Sequence, residues 1–300
     1  MKSVRYLDNE PYDGESIGRF MGLEDLSITN LPNLERLSRE EGGEMFLRMS
    51  RFEIDNCPKL ILPFLLSVKH LMVYNCSGVV LKSISNLSGL SDLRIYKFVN
   101  LQELPHDMFN DINTLEALAI EVCPELKCLP EGIFQNCCHL KRITIKGCKK
   151  LNSLSQSFQD LISLQSLVFE DCPELNAFPN GLNHLSSLRN LSMSGIIVDL
   201  SGIYCLTYTC EVSHKLGALP EALQHLPSLK SMTIESFLEL SSLPGCPDLL
   251  SIPTSIQQLT NLEKLTIYGC PQLEKQCEME VGADWHKIAH IPNVHVGPNR

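Results

Sequence analysis

From Leu23 to the carboxyl end, apolar residues fall in a pattern that keeps returning. Its fullest copy, LEKLTIYGCPQLEKQ from Leu262, has counterparts in LEALAIEVCPELKCLP from Leu115 and LQSLVFEDCPELNAFP from Leu164. Looser copies begin at Leu23, Met49, Val68, Leu90, Leu140, Leu188 and Leu229. The ten starts lie 19 to 26 residues apart, except for gaps of 41 and 33. Each copy alternates two apolar residues with polar ones, as in Leu26/Ile28, Phe52/Ile54, Leu71/Val73, Leu93/Ile95, Leu118/Ile120 and Ile143/Ile145. Leu167/Phe169, Leu191/Met193, Met232/Ile234 and Leu265/Ile267 continue the series. A period of two over so short a stretch predicts a strand with one buried face. The C-P-x-L that follows predicts the strand's end, because proline lacks the amide donor a ladder needs. An L-P-x-x-L segment comes next, as at Leu104-Pro105, Leu129-Pro130 and Leu219-Pro220. Frequent prolines and few helix caps predict irregular or 3₁₀ segments there rather than long helices.

A period near 24 residues with L-x-x-L-x-I-x-x-C predicts an α/β solenoid of the leucine-rich-repeat type. The expected form is a horseshoe of about ten repeats, with a parallel β-sheet on the concave face and mostly irregular or 3₁₀ convex segments. One unit alone cannot bury its apolar face, so the units must stack. The layout reads as an irregular segment over 1–22, the solenoid over 23–277 and a carboxyl-terminal cap over 278–300. The cap holds Trp285, the only tryptophan. The pattern is irregular at 194–217, inside the 41-residue gap, and at 238–253, where a second half-unit occurs twice with no strand between. Both breaks join half-units out of phase, as a deletion or altered splicing would leave them.

Composition narrows the function classes. Apolar residues make up 44% and charged ones 20%, which fits a globular chain. A net charge of −10 argues against a general binder of nucleic acid or anionic membranes. The start MKSVRYLDNEPYDGES has no apolar signal-peptide core, and even LILPFLLSVKHLMVY is broken by Lys69 and His70. A cytoplasmic protein is expected. Of 13 cysteines, Cys57, Cys76, Cys123, Cys148, Cys172 and Cys270 all stand three residues after the second strand hydrophobe, and Cys246 has the matching GCP context. A small apolar side chain with a weak S–H donor suits a buried corner, so a ladder of reduced thiols is expected rather than disulfides or a metal site.

Catalytic signatures are nearly absent: there is no phosphate-binding loop and no kinase signature set. Gly14-Glu15-Ser16-Ile17-Gly18 matches a nucleophile elbow by letter, but no strand pattern precedes it, so it reads as chance. His286 and His290 are four apart without the glutamate of a zinc-binding helix. No enzyme, cofactor or metal is expected. What remains is recognition through the strand positions that point away from the core. Tyrosine and arginine are the side chains that most often anchor protein interfaces. Tyr74, Arg94, Tyr96 and Arg142 fall within four successive units, and with Lys146, Glu170 and Tyr268 they form the expected partner-binding face.

The ending CPQLEKQCEMEVGADWHKIAHIPNVHV closely resembles the carboxyl terminus of plant disease-resistance receptors of the coiled-coil, nucleotide-binding, leucine-rich-repeat type. The element that carries the likeness is Gly282, Asp284, Trp285, Lys287, Ile288, His290, Ile291 and Pro292, and LPNLERLSREEGGEMFLRMSRFEIDNCPKL is similar to the distal repeats of that family. The resemblance implies a protein-recognition module in plant defence, with effector-sensing and autoinhibitory repeats. The implied partners are a pathogen effector or a guarded host protein, and possibly the nucleotide-binding module of a related receptor, but no nucleic acid and no membrane. No counterpart of that nucleotide-binding module is found here, so recognition is expected without nucleotide exchange, as in a truncated product, splice form or decoy. A substrate-recruiting adaptor of a ubiquitin ligase is the alternative, although the polar first 22 residues supply no adaptor-binding helix.

Overall fold

The computed structural model describes residues 4–7, 22–38, 46–154, 158, 160–175, 185–194, 226, 228–235, 251–252 and 254–297. Every copy of the pattern supplies one strand to a single parallel sheet. These are β1 (Asp25–Thr29), β2 (Arg51–Asp55), β3 (His70–Tyr74), β4 (Asp92–Tyr96) and β5 (Ala117–Glu121). They continue as β6 (Arg142–Lys146), β7 (Ser166–Glu170), β8 (Asn190–Ser194), β9 (Ser231–Glu235) and β10 (Lys264–Tyr268). An eleventh strand, β11 (Asn293–Val296), lies in the stretch expected to be the cap and extends the sheet. Spatial order follows chain order without a crossover.

The register never slips, because the alternating apolar pair leaves only one face that can be buried. Leu71 pairs with Leu93 and Leu93 with Leu118, and Val73 pairs with Ile95 and Ile95 with Ile120, so the two apolar positions of each strand form continuous rows. From β2 to β7 both rows are buried. At the entrances of β2 to β10 two successive amides share one carbonyl of the preceding unit. Ser50 and Arg51 donate to the Glu24 carbonyl at 2.8 and 3.0 Å, and Glu116 and Ala117 to that of Ser91 at the same distances.

The strand exit has its own repeated geometry. The residue after the strand is left-handed at Asn30, Asn56, Asn75, Lys97, Val122, Gly147, Asp171 and Gly269, with φ between 45° and 68°. Its amide donates to the last carbonyl of the next strand, as Asn56 does to Tyr74 (3.1 Å) and Gly147 to Glu170 (2.8 Å). Asparagine and glycine accept this conformation readily, whereas β-branched Val122 adopts it against its preference. The C-P-x-L segment then forms a tight turn. The Leu60, Leu126 and Leu175 amides donate to the Cys57, Cys123 and Cys172 carbonyls at 3.1–3.3 Å. Proline therefore occupies the second turn position, for which its fixed φ is suited. The last copy departs from this, since Cys270 accepts from Glu274 instead and PQLEKQ becomes the helix α2 (Pro271–Gln276), with α1 being Gly78–Lys82. Proline at the first helical position loses no hydrogen bond there.

The corner cysteines sit inside this turn as expected. Cys57, Cys123, Cys148, Cys172 and Cys270 each donate a thiol hydrogen to the carbonyl two residues back, at 3.4–3.6 Å. The described cysteines are free thiols. Hydrogen bonding to Cys123 and Cys172, and then burial, pushes the Cys148 thiol far above its ordinary range. Burial pushes Cys76 up to about 11 and Cys137 and Cys277 up to about 12. On the convex side, short 3₁₀ turns at Ile84–Asn86 and Thr254–Gln258 carry buried aliphatics. Phe109 stacks on Phe134 there with ring centroids 6.3 Å apart, and Phe134 meets Phe158 edge to face at 5.4 Å.

At the amino end, residues 4–7 run beside the first unit. Tyr6 bridges Arg36 in parallel and the Leu7 amide donates to Leu37 (3.2 Å), so this segment occupies the place of a preceding unit's second half. The irregular stretches 194–217 and 238–253 lie outside the described residues, apart from Ser194 and residues 251–252.

Candidate protein-interaction face

In β2 to β7 and in β10, strand positions one, three and five point away from the core and line up across the sheet. Tyr74, Tyr96, Glu121, Lys146 and Glu170 occupy one such row in unbroken register. Arg94 lies in the middle row beside Met72 and Ala119, and Arg142 in the entry row beside Ala117 and Ser166. Strand spacing of about 4.8 Å therefore gathers six of the seven expected face residues within five neighbouring strands. Tyr268 shares the row with Tyr74 but lies on β10, with β8 and β9 between it and Glu170, so it stands apart.

The two tyrosines meet edge to face, with centroids 5.5 Å apart at 66°. Lys97 places its ammonium 5.2 Å from the Tyr96 ring centre, and Tyr74 donates its hydroxyl hydrogen to the Met72 sulfur at 3.3 Å. Burial, and then the Glu53 carboxylate, hold the Tyr74 phenol above its usual range, so it remains a neutral donor. Sequence reasoning omitted Lys97 and Met72 from the face. Met72 was visible as an outward position, but Lys97 comes after the strand and reaches the ring only because the chain turns left-handed there.

Charges on the face are sorted. Lys146 pairs with Glu170 at 2.5 Å, and Lys141 with Glu116 at 3.0 Å, whose hydrogen bond holds the Glu116 carboxyl below the usual carboxylate range. Arg94 and Arg142 are exposed and make no ion pair among the described residues. The surface offers two aromatic rings, two uncommitted guanidiniums and ion-paired edges.

The G-x-D-W-x-K element of the ending has a different task. Asp284 is buried, and its carboxylate accepts the Ile252 amide at 2.6 Å and pairs with Lys287 at 2.6 Å. Lys287 also donates to the Ile252 carbonyl at 2.6 Å, so the pair grips both polar groups of one residue. Gly282 has no room for a side chain, since a Cβ there would lie 2.2 Å from the Gln276 carbonyl oxygen. Trp285 opens the helix α3 (Trp285–Ile288) and packs against the core. The motif thus fastens the last units together and leads the chain into β11. Among the described residues no group of His, Cys, Asp and Glu is arranged to hold a metal, and no helix is long and apolar enough to cross a membrane.

The stacked strands, the left-handed exits and the cysteine corners define a leucine-rich-repeat solenoid. Its sequence relatives include disease resistance proteins of Solanum bulbocastanum. It is 35% identical over 130 residues to the disease resistance protein RGA1 of Solanum bulbocastanum, which covers 43% of this chain and 13% of that protein. RGA4 from the same species is 43% identical over 51 residues, covering 17% and 5%, and RGA2 is 65% identical over 26 residues, covering 9% and 3%. The matched stretches therefore span at most 13% of these relatives. No protein-family model matches the chain. Among solved structures, the leucine-rich repeat domain of the type III effector XopL superposes with a TM-score of 0.56 at 22% identity, covering 92% of this chain and 77% of that one. The plant peptide hormone receptor RGFR1, in complex with RGF2, gives 0.51 at 17% identity, covering 92% and 48%. These two likenesses establish the fold.

Proposed function

We propose that this chain is a non-enzymatic protein-recognition module of plant defence, acting in the cytoplasm, that senses a pathogen effector or a guarded host protein through its concave face. The observation that carries this is the cluster of Tyr74, Tyr96, Arg94 and Arg142 on three strands within the four from β3 to β6, of which the two arginines are exposed. Aromatic and arginine side chains in one compact group are what interface hot spots are made of. The relatives' role in disease resistance supplies the biological setting. Free buried thiols support a reducing compartment. The nucleotide-binding module of a related receptor is a further partner under this reading.

The test is affinity capture from infected and uninfected leaf extract with the wild-type chain and with a Tyr74→Ala, Arg94→Ala, Tyr96→Ala variant. The variant is expected to lose the proteins that the wild type enriches. Identical sets of captured proteins would move the binding site off this face. Thiol titration of the denatured protein without reductant is expected to find free thiols in the majority, and their near-total absence would remove the cytoplasmic assignment.

A further inference from the structure

In the unit that carries β6, the lysines and the arginine are treated differently. Lys141, Lys146, Lys149 and Lys150 are each tied to a carboxylate of a neighbouring unit, at 3.0, 2.5, 2.6 and 2.7 Å. The nearby carboxylates Glu116, Glu170, Asp171 and Glu125 are thereby engaged. Arg142 follows Lys141 directly in sequence yet has no such partner among the described residues, and neither has Arg94. Asp92 at the entry of β4 and Glu121 at the exit of β5 flank the two arginines without coming within ion-pair distance.

Between the two arginines the floor is low. Arg94 is in register with Ala119, and Ala117 with Arg142, so at its first and third positions β5 presents methyl groups between two strands that each raise a guanidinium, with Glu121 at its fifth. Two strand spacings of about 10 Å separate β4 from β6, and the arginines are offset by two positions, about 7 Å, along the strands, a diagonal gap that one side chain can enter and two extended arginines can reach into. A guanidinium offers a planar fork of donors matched to a carboxylate, and, after the Lys141 hydrogen bond, Arg142 already lowers the titration of Glu116 through space without pairing with it.

We propose that Arg94 and Arg142 form a clamp for an aspartate or glutamate side chain presented by a partner protein. The carboxylate enters above Ala117 and Ala119, each guanidinium takes an oxygen, and apolar neighbours of the acidic residue rest on the Tyr96 ring. This deepens the recognition reading and rests on it for the nature of the partner.

The test follows the arginine Nε–Hε resonances of the full chain during titration with the blocked peptide acetyl-Ala-Leu-Glu-Leu-Ala-amide. The Arg94 and Arg142 signals are expected to move together and saturate while the other arginines stay in place. The glutamine counterpart should leave them unmoved, and R94Q should weaken binding at least about tenfold, as loss of a charged hydrogen bond does. Equal response to the glutamine peptide, or equal movement of all arginines, would overturn the clamp. A phosphoserine counterpart binding at least about tenfold more tightly would overturn the choice of a carboxylate. If wild type and an R94Q/R142Q variant capture the same leaf protein equally, the clamp falls and the recognition reading stands. If the peptide response holds but no partner protein is captured, the clamp stands and the recognition reading falls.

Discussion

Strands β3 to β6 and strands β8 to β10 belong to one sheet, share one register and bury the same kind of rows, yet they show different faces. The first group presents Tyr74, Arg94, Tyr96, Arg142 and Lys146, whereas the second presents Asn190, Ser192, Ser231, Thr233 and Thr266, with Lys264 and Tyr268 only on its last strand. Serine and threonine are under-represented among interface anchors, whereas tyrosine and arginine lead them. Nothing in the backbone distinguishes the two groups, since β4 pairs with β5 in the same parallel manner as β8 with β9. The inward rows carry the stacking free energy, and the outward rows are released from it. Recognition and folding thus reside in alternate residues of the same strand.

The strongest way to break that separation is to damage the scaffold under one group only. Phe134 is fully buried between Phe109 and Phe158 on the convex side behind β5 and β6. Phe134→Ala is expected to cost about 3–5 kcal/mol through lost transfer free energy and the cavity left behind. Because each unit of a solenoid leans on its neighbours, the loss should be local. Hydrogen exchange should quicken at the β5 and β6 amides and stay slow at β10. Equal loss of protection at β10 would show that the sheet opens as one body, and the comparison would then lose its physical basis.

A second large effect is expected at the other end. Asp284→Ala leaves the Ile252 amide without its acceptor and the Lys287 ammonium, at 15% side-chain exposure, without its partner. Breaking a buried pair by removing one member costs about 3 kcal/mol or more. Exchange should now rise in β10 and β11 while β3 to β6 keep their protection. A variant losing less than about 0.5 kcal/mol would mean that the motif fastens nothing.

The grip of Asp284 and Lys287 on Ile252 also marks what was hidden in the sequence. The strands were legible because two apolar residues at period two recur at nearly constant spacing, and that spacing dictates the register. Met72, Arg94 and Tyr96 were legible as outward positions for the same reason. The grip on Ile252 was not, because 32 residues separate it from Asp284 and only folding brings them together. β11 was missed because NVHV lacks the L-x-x-L lead and becomes a strand by pairing with β10. Nor does sequence tell a paired lysine from an uncommitted arginine on adjacent strands, since side-chain length and register decide it together.

A smaller effect separates local strain from surface chemistry. Val122 follows β5 with φ of 58°, in a row otherwise held by Asn30, Asn56, Asn75, Gly147 and Gly269 together with Lys97 and Asp171. A β-branched residue held left-handed costs about 1–2 kcal/mol, and the surrounding ladder enforces it. Val122→Asn is expected to stabilise the chain by about 1 kcal/mol in urea unfolding. Binding through Arg94 and Arg142 should remain unchanged, because the Val122 amide keeps its bond to the Lys146 carbonyl (2.7 Å). A destabilised variant would mean that the valine side chain packs usefully at the corner and that the exit row belongs to the core.

The smallest effect is the most exacting test. Lys146 and Glu170 lie within 2.5 Å on adjacent strands, with side chains 39% and 38% exposed. A pair so open to solvent is screened and must hold two long side chains in one geometry, so Lys146→Met is expected to change stability by less than about 1 kcal/mol. A double-mutant cycle with Glu170→Gln should return a coupling of about 0.5 kcal/mol, shrinking further in high salt. Its consequence should lie in recognition, because the lost cation leaves Glu170 uncompensated on the strand next to Arg142 and lowers the local preference for an acidic partner. A coupling above about 2 kcal/mol would place this pair among the contacts that hold β6 to β7. The outward row would then carry folding free energy as the inward row does, and surface and scaffold would no longer be separable in this part of the sheet.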